Sequence, residues 1–329
     1  MASGSKRPER LGKYKILGRL GSGGMSRVYR AVADGTDTEI ALKVTPLEND
    51  VDVEVADYQR EVTIARRVQH PNVVTALDHG CVGGHIFLAM PIIAGATLSN
   101  VTRLRDPSRK PSSRKSSAYR DKWAVPMLEG QWRQVAKLGL QMSDALAACH
   151  NAGVIHRDIK PGNIIMNRDG DAFLMDFGLA WLRRGQRGHE LATKAGTARY
   201  LPPEVFEEKR DERSDIYSLG VTMHELATGL KLWGEIDHET VREERPELRV
   251  PTVHEVRDDV PQLLADCIDK ASADDPSERH QTSDELRDHF ELVMKNLPES
   301  FSLTEAELAT GVWQSDSVAA ELSEEVWFS

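Results

Sequence analysis

Short runs of alternating apolar and polar residues dominate the first quarter of the chain. Between residues 14 and 46, YKILGRL, SRVYRAVA and EIALKV are separated by a glycine-rich stretch and by ADGTDTE, which predicts three antiparallel strands. Val55, Tyr58, Val62 and Ala65 then recur at helical spacing up to His70-Pro71, where the proline ends the helix. TALDHGCV and HIFLAMPII supply two more strands. From Trp132 onward the period changes to that of a helix: Val135, Leu138, Met142, Leu146 and Cys149 mark one core face, and similar patterns run through 214–229 and 260–294. The expected architecture is α+β, a small strand-rich lobe followed by a larger helical one.

Two stretches break the pattern. Residues 101–122 are crowded with Arg, Lys, Ser and Pro and nearly lack large apolar side chains, so they read as an inserted basic loop. Residues 298–329 carry seven acidic side chains, no Lys or Arg, and the aromatics Trp313, Trp327 and Phe328, the composition of an appended acidic tail. The apolar run CVGGHIFLAMPIIAGATL, residues 81–98, is long enough to suggest a membrane span. Gly83-Gly84 and Pro91 instead divide it into a turn, a strand and a bend, as in a buried hairpin.

Composition narrows the function classes. A net charge of −10 over 329 residues argues against a nucleic-acid binder that relies on a basic surface. Cys81, Cys149 and Cys267 lie far apart with no C-x-x-C pair, so their spacing implies neither a zinc site nor a disulfide framework. The N-terminus MASGSKRPER has no apolar core for export. A cytoplasmic chain with no membrane span is the expectation.

The glycine-rich stretch GSGGMSRVY, residues 21–29, has Gly21 and Gly23 where a phosphate-cradling loop needs them, with Ser26 in place of a third glycine. A dinucleotide-binding loop would lead into a helix and be followed about 20 residues later by an acidic residue. Here a strand-like segment follows, and Lys43 within ALKV stands at the later position. A lysine on the third strand beneath a hairpin loop belongs to a different phosphate-binding design.

Taken with VIHRDIKPGNIIM at 154–166, DFG at 176–178, GTARYLPPE ending at Glu204 and SDIYSLG from Ser214, that design resembles a serine/threonine protein kinase of the eukaryotic-like, bacterial type. The resemblance covers about residues 14–297. It implies the bilobal kinase fold, with an antiparallel five-stranded N-lobe carrying one helix and a mostly helical C-lobe. The corresponding boundaries are a flexible N-terminus at 1–13, an N-lobe at 14–93, a C-lobe at 94–297 interrupted by the basic insert, and the tail at 298–329. The activity implied is transfer of the γ-phosphoryl of ATP to Ser or Thr hydroxyls of protein substrates, with Mg²⁺ or Mn²⁺ as metal.

Residue roles follow from the resemblance. Lys43 contacts the α- and β-phosphates and is steadied by Glu61; Asn163 and Asp176 hold the metal; Asp158 accepts the hydroxyl proton; Lys160 neutralises the transferring group. Thr197 contacts Asp158 and Lys160. Leu20, Gly21, Ser22, Gly23, Gly24 and Ser26 cover the nucleotide, Val28 and Ala41 lie above the adenine and Ile165 below it, and Met90, Pro91 and Ile93 form the hinge. Pro91 has no N–H, but only its carbonyl is needed there. Glu204 pairs with Arg279, and Asp215 binds catalytic-loop backbone. Arg157 before the catalytic Asp suggests activation by phosphorylation, with Thr193 at the spacing of a phosphosite; this leaves room for self-association during autophosphorylation. The alternatives are a catalytically inactive scaffold of this fold, which would usually have lost Lys43, Asp158 or Asp176, and a small-molecule kinase, which would generally lack the GT…PPE segment.

Overall fold

A computed structural model of the chain describes residues 9–23, 26–47, 62, 66–103, 132–176, 198–204, 211–233 and 248–298. Its first part is one antiparallel sheet. β1 (Arg10–Leu11), β2 (Tyr14–Gly23), β3 (Ser26–Ala33), β4 (Glu39–Pro46), β5 (Asp78–Val82) and β6 (His85–Pro91) are arranged in the order β1-β2-β3-β4-β6-β5. The sheet therefore has one short strand beyond the five expected, because Arg10 and Leu11 turn back at Gly12 to pair with Lys15 and Tyr14. The apolar run that could suggest a membrane span is the β5–β6 hairpin and its exit, and among the described residues no helix is long and apolar enough to cross a membrane.

Strand alternation divides this sheet into two faces. Ile40, Leu42 and Val44 of β4 point to the same side as Tyr29 and Ala31 of β3 and Phe87 and Ala89 of β6, where the Tyr14 ring meets Phe87 edge-on at 5.3 Å. Ala41 of β4, Val28 of β3 and Ile86, Leu88 and Met90 of β6 point the other way, toward the second half of the molecule. Lys43 shares the parity of Ala41, so the strand period alone delivers its ammonium to that inner face. Of the helix expected over 55–65, only Val62 is among the described residues; it is helical and buried in the inner cluster.

The second half begins with β7 (Gly95–Thr97) and α1 (Leu98–Arg103), which runs three residues into the stretch read as an insert; Thr97 Oγ1 accepts the Asn100 N–H at the start of that helix. Residues 104–122, like the acidic tail, lie outside the described residues. α2 (Trp132–Asn151) buries the expected face of Val135, Leu138, Met142, Leu146 and Cys149 against α3 (Glu212–Thr228) and α6 (Ser283–Asn296), in one core with α5 (Gln262–Ala271), which packs on α3 and α6; a one-turn α4 (Val253–Val256) precedes α5. β8 (Ile164–Asn167) and β9 (Ala172–Leu174) join β7 in a three-stranded sheet, order β7-β8-β9. Two backbone bonds, Leu174 N–H to Asn72 O and Val74 N–H to Leu174 O, both 2.8 Å, stitch this sheet to the chain entering β5, and Asn72 Nδ2 adds a bond to Ala172 O.

α3 is buried on nearly all sides and packs closely on the end of α5. A Cβ at Gly220 would fall 2.7 Å from the backbone nitrogen of Ser272, where no flexible side chain can yield. Gly220→Ala is therefore expected to cost about 1–3 kcal/mol through overpacking, read as a lower urea midpoint with an unchanged slope.

Candidate active site

The cleft between the two halves is lined above by Leu20, Val28 and Ala41, below by Ile165 and Met175, and at its back by Met90, all buried in one apolar cluster. The floor comes from the β8–β9 hairpin and the roof from β2–β4. The hinge residues Met90 and Pro91 end β6, and Ile93 lies between it and β7. Gly21 and Gly23 pair with Val28 and Ser26 across the β2–β3 hairpin, and Ser22 lies between them opposite Arg27. Gly24 lies outside the described residues. Leu20, Ala41, Met90, Pro91, Ile93 and Ile165 line one pocket together with Val74, Ile92 and Met175, and Val28 packs in the same apolar cluster.

The polar machinery sits at the mouth of this slot. Between α2 and β8, residues 154–163 form a loop whose shape is set by one buried carboxylate. Asp215, on the first turn of α3, accepts the backbone N–H groups of His156 and Arg157, both at 2.7 Å, and lies 3.0 Å from His150 Nε2. Burial alone would raise the Asp215 pKa, but the His150 hydrogen bond, the neighbouring imidazoles and the Arg157 N–H hold it below its ordinary value. Arg157 adopts φ 66°, a left-handed backbone that an L residue keeps only when its surroundings impose it.

That kink presents Asp158. Both of its carboxylate oxygens are 2.9 Å from Lys160 Nζ, and Asn163 Nδ2 donates to its backbone O at 2.7 Å and to Oδ2 at 2.9 Å. His156 Nδ1 accepts the Asp158 N–H, so its Nε2 carries the proton and donates to Met175 O at 2.9 Å. The bond connects the loop to the residue before Asp176.

Asp176 has φ 70° and reaches across the cleft: its Oδ2 is 2.7 Å from Lys43 Nζ, and both side chains are about nine-tenths buried. Its other oxygen, Oδ1, is buried with no hydrogen-bond partner among the described residues. A buried carboxylate oxygen left unmatched is costly unless something else satisfies it. Asn163, whose amide nitrogen is used on Asp158, keeps its carbonyl oxygen for the same purpose. Two oxygen donors flanking one mouth fit a hard divalent cation.

The structure therefore brings together Lys43, Asp158, Lys160, Asn163 and Asp176. Glu61, Thr193 and Thr197 lie outside the described residues. Past Thr197, the segment leading to Glu204 is held firmly. Arg199, fully buried, donates to Leu232 O at 2.8 Å, Tyr200 donates its hydroxyl to Glu225 at 2.6 Å, and Ser218 donates to Tyr200 O at 2.7 Å. Glu204 receives two bonds from Arg279, at 2.7 and 2.9 Å, as expected. Sequence reasoning gave no role to His150, His156 or Asn72. The HRD and HPN tripeptides that contain the last two were visible, but their side-chain bonds run to backbone that only the fold brings near.

A family model described as the protein kinase domain matches residues 14–290. The chain is similar to the serine/threonine-protein kinase PknH of Mycobacterium tuberculosis, 31% identical over 279 residues, covering 84% of this chain and 41% of the relative. It is also 31% identical to PknL of the same species over 287 residues, covering 87% of this chain and 66% of the relative. The chain thus spans about two fifths of the length of PknH. The crystal structure of the M. tuberculosis PknI kinase domain superposes with a TM-score of 0.62 at 23% identity, covering 89% of this chain and 99% of that one, a likeness of fold.

If Asp215 sets the loop, removing its carboxylate strands the buried His156 N–H and the part-buried Arg157 N–H. Asp215→Ala is expected to cost at least about 2 kcal/mol, measured by chemical denaturation, and to lower activity further than the unfolded fraction explains.

Proposed function

The chain belongs to the protein kinase domain family, and on that premise we propose that it is an ATP-dependent serine/threonine protein kinase. The observation that carries this reading is the convergence, at the mouth of an apolar slot, of Lys43, Asp176 with its unmatched Oδ1, and the Asp158–Lys160–Asn163 triangle. Phosphoryl transfer needs such a set, because a highly charged polyphosphate must be held in line with a hydroxyl while charge is offset.

In this proposal Val28, Ala41 and Ile165 sandwich the adenine, and backbone groups of Pro91 and Ile93 read its edge. Lys43 holds the α- and β-phosphates, exchanging its bond to Asp176 for bonds to phosphate. Asn163 Oδ1 and Asp176 would hold Mg²⁺, which when bound offsets the negative charge of the phosphate oxygens. The substrate hydroxyl oxygen bonds to the γ-phosphorus as the bond from that phosphorus to its bridging oxygen breaks; Asp158 orients the hydroxyl and takes its proton, and Lys160 offsets charge on the moving group. The all-oxygen donor set favours Mg²⁺, and Mn²⁺ is the natural substitute.

We take residues 14–93 and 94–297 as the two lobes. Three cysteines without a disulfide fit a reducing, cytoplasmic setting. Protein substrates are read from the kinase relatives, and self-association from the proposed phosphosite.

Incubating the full chain with labelled ATP, Mg²⁺ and a generic protein substrate should label Ser and Thr. Asp158→Asn should slow transfer by roughly 10²–10⁴-fold while nucleotide binding persists; transfer by the variant at the wild-type rate would reject the assignment. Substituting Mn²⁺ in the same assay decides the metal preference. Thr193→Ala should lower specific activity if a phosphate on Thr193 docks near Arg157, and an unchanged specific activity would remove that residue from the mechanism.

A further inference from the structure

Cys267 on α5, His280 in the connection that follows, and His289 on α6 come together within the helical lobe. One ligand atom of each lies within 4.8 Å of the others. The two imidazoles face one another, His280 Nε2 and His289 Nδ1 being 3.0 Å apart with ring centroids at 5.3 Å. Cys267 is fully buried, His280 is 1% exposed, and His289 is partly open to solvent. His280 Nδ1 is buried with no hydrogen-bond partner among the described residues, so this ring sits in the interior with only half of its hydrogen-bonding capacity used.

We propose that Cys267, His280 and His289 form a structural site for a late divalent transition metal, Zn²⁺ in the first instance, with the fourth position open to water on the His289 side. The donor chemistry is that of zinc: one thiolate and two imidazoles, at Zn–N about 2.0–2.1 Å and Zn–S about 2.3 Å. Tetrahedral geometry with those bond lengths places two ligating nitrogens about 3.3 Å apart, close to the spacing found.

The protonation states suit loading. Burial, with Lys270 and the neighbouring His289 adding to it, holds His280 down at about 3, and burial and Lys270 also lower His289 against the opposing charge of Asp266. Ligating imidazoles must be neutral, and both shifts run in that direction. Burial pushes the Cys267 thiol up, so the metal itself must displace its proton, and one proton is released as the Zn–S bond forms. No change of oxidation state is involved.

The position gives the site a purpose. His280 directly follows Arg279, whose guanidinium holds Glu204 and the carbonyls of Ala273 and Asp274. A metal bridging α5, α6 and this connection would fix the backbone that carries the brace.

The test uses the full chain after dialysis against a chelator, titrated with Co²⁺ and then Zn²⁺. One equivalent of Co²⁺ should give a thiolate-to-metal charge-transfer band and the intense visible absorption of tetrahedral Co²⁺, both displaced by Zn²⁺. Zn²⁺ should also raise the thermal midpoint. Cys267→Ser and His289→Gln should each lose the band and the thermal shift; the second variant alters a side chain that is partly open to solvent and so leaves the core intact. Absence of the band in the wild type, or its persistence in both variants, would overturn the proposal. Metal at the Asp176 mouth gives no thiolate band, so the result is independent of the kinase reading.

Discussion

The buried carboxylate of Asp215 is the constraint on which the site depends. It is fully desolvated, yet it is matched by two backbone N–H groups and an imidazole, which is how an interior charge is made tolerable. The same bonds fix two successive backbone N–H directions and so impose the left-handed turn at Arg157. Asp158 then projects from a loop whose entry is anchored to α3 and whose exit is tied by Asn163. The strain at Arg157, of order 1–3 kcal/mol, is offset by those bonds. α3 also bonds to the segment that leads to Glu204, through Ser218, Glu225 and Ser214. One helix therefore orients both the loop that carries Asp158 and the segment that leads to Glu204.

A second constraint comes from strand parity. β4 is buried on both faces because the sheet has a core behind it and the cleft before it. Lys43 can occupy such a strand because its ammonium meets Asp176 across the cleft. Removing both charges from water is costly, and a single ion pair rarely returns more than it costs. In the proposed function the pair is a resting arrangement, in which the two groups satisfy each other until a polyphosphate offers the lysine another partner. The unmatched Oδ1 of Asp176 fits this account, since Lys43 serves only one of its two oxygens.

Much of this was legible in the sequence because the relevant signals are local. Alternation in EIALKV identified a strand, and parity then placed Lys43 beside Ala41; HRDIKPGN placed Asp158, Lys160 and Asn163 within one turn of each other. What escaped notice depends on long-range contacts. β1 is two residues long and has no pattern of its own. β7 exists because Ala96 finds Met166 some 70 residues later. Asn72 shows its role only once β9 lies against it. The Cys267–His280–His289 cluster escaped for a related reason. Spacing rules for metal sites look for ligands paired within a few residues, whereas these come from two helices and the connection between them, brought together by packing of the α5–α6 pair.

The hinge shows how a departure from the usual pattern is absorbed. Pro91 ends β6 opposite Ile40, where a missing N–H interrupts no further ladder bond. Four residues on, Gly95 lies so close to β8 that a Cβ there would stand 2.2 Å from the Met166 carbonyl oxygen and 2.9 Å from Ile165 Cγ2. The backbone leaving the hinge is therefore pressed directly onto the strand that supplies the floor of the slot. The contact sets Gly95, two residues past Ile93, directly against Ile165 and Met166, so the hinge exit and the floor of the slot are positioned together.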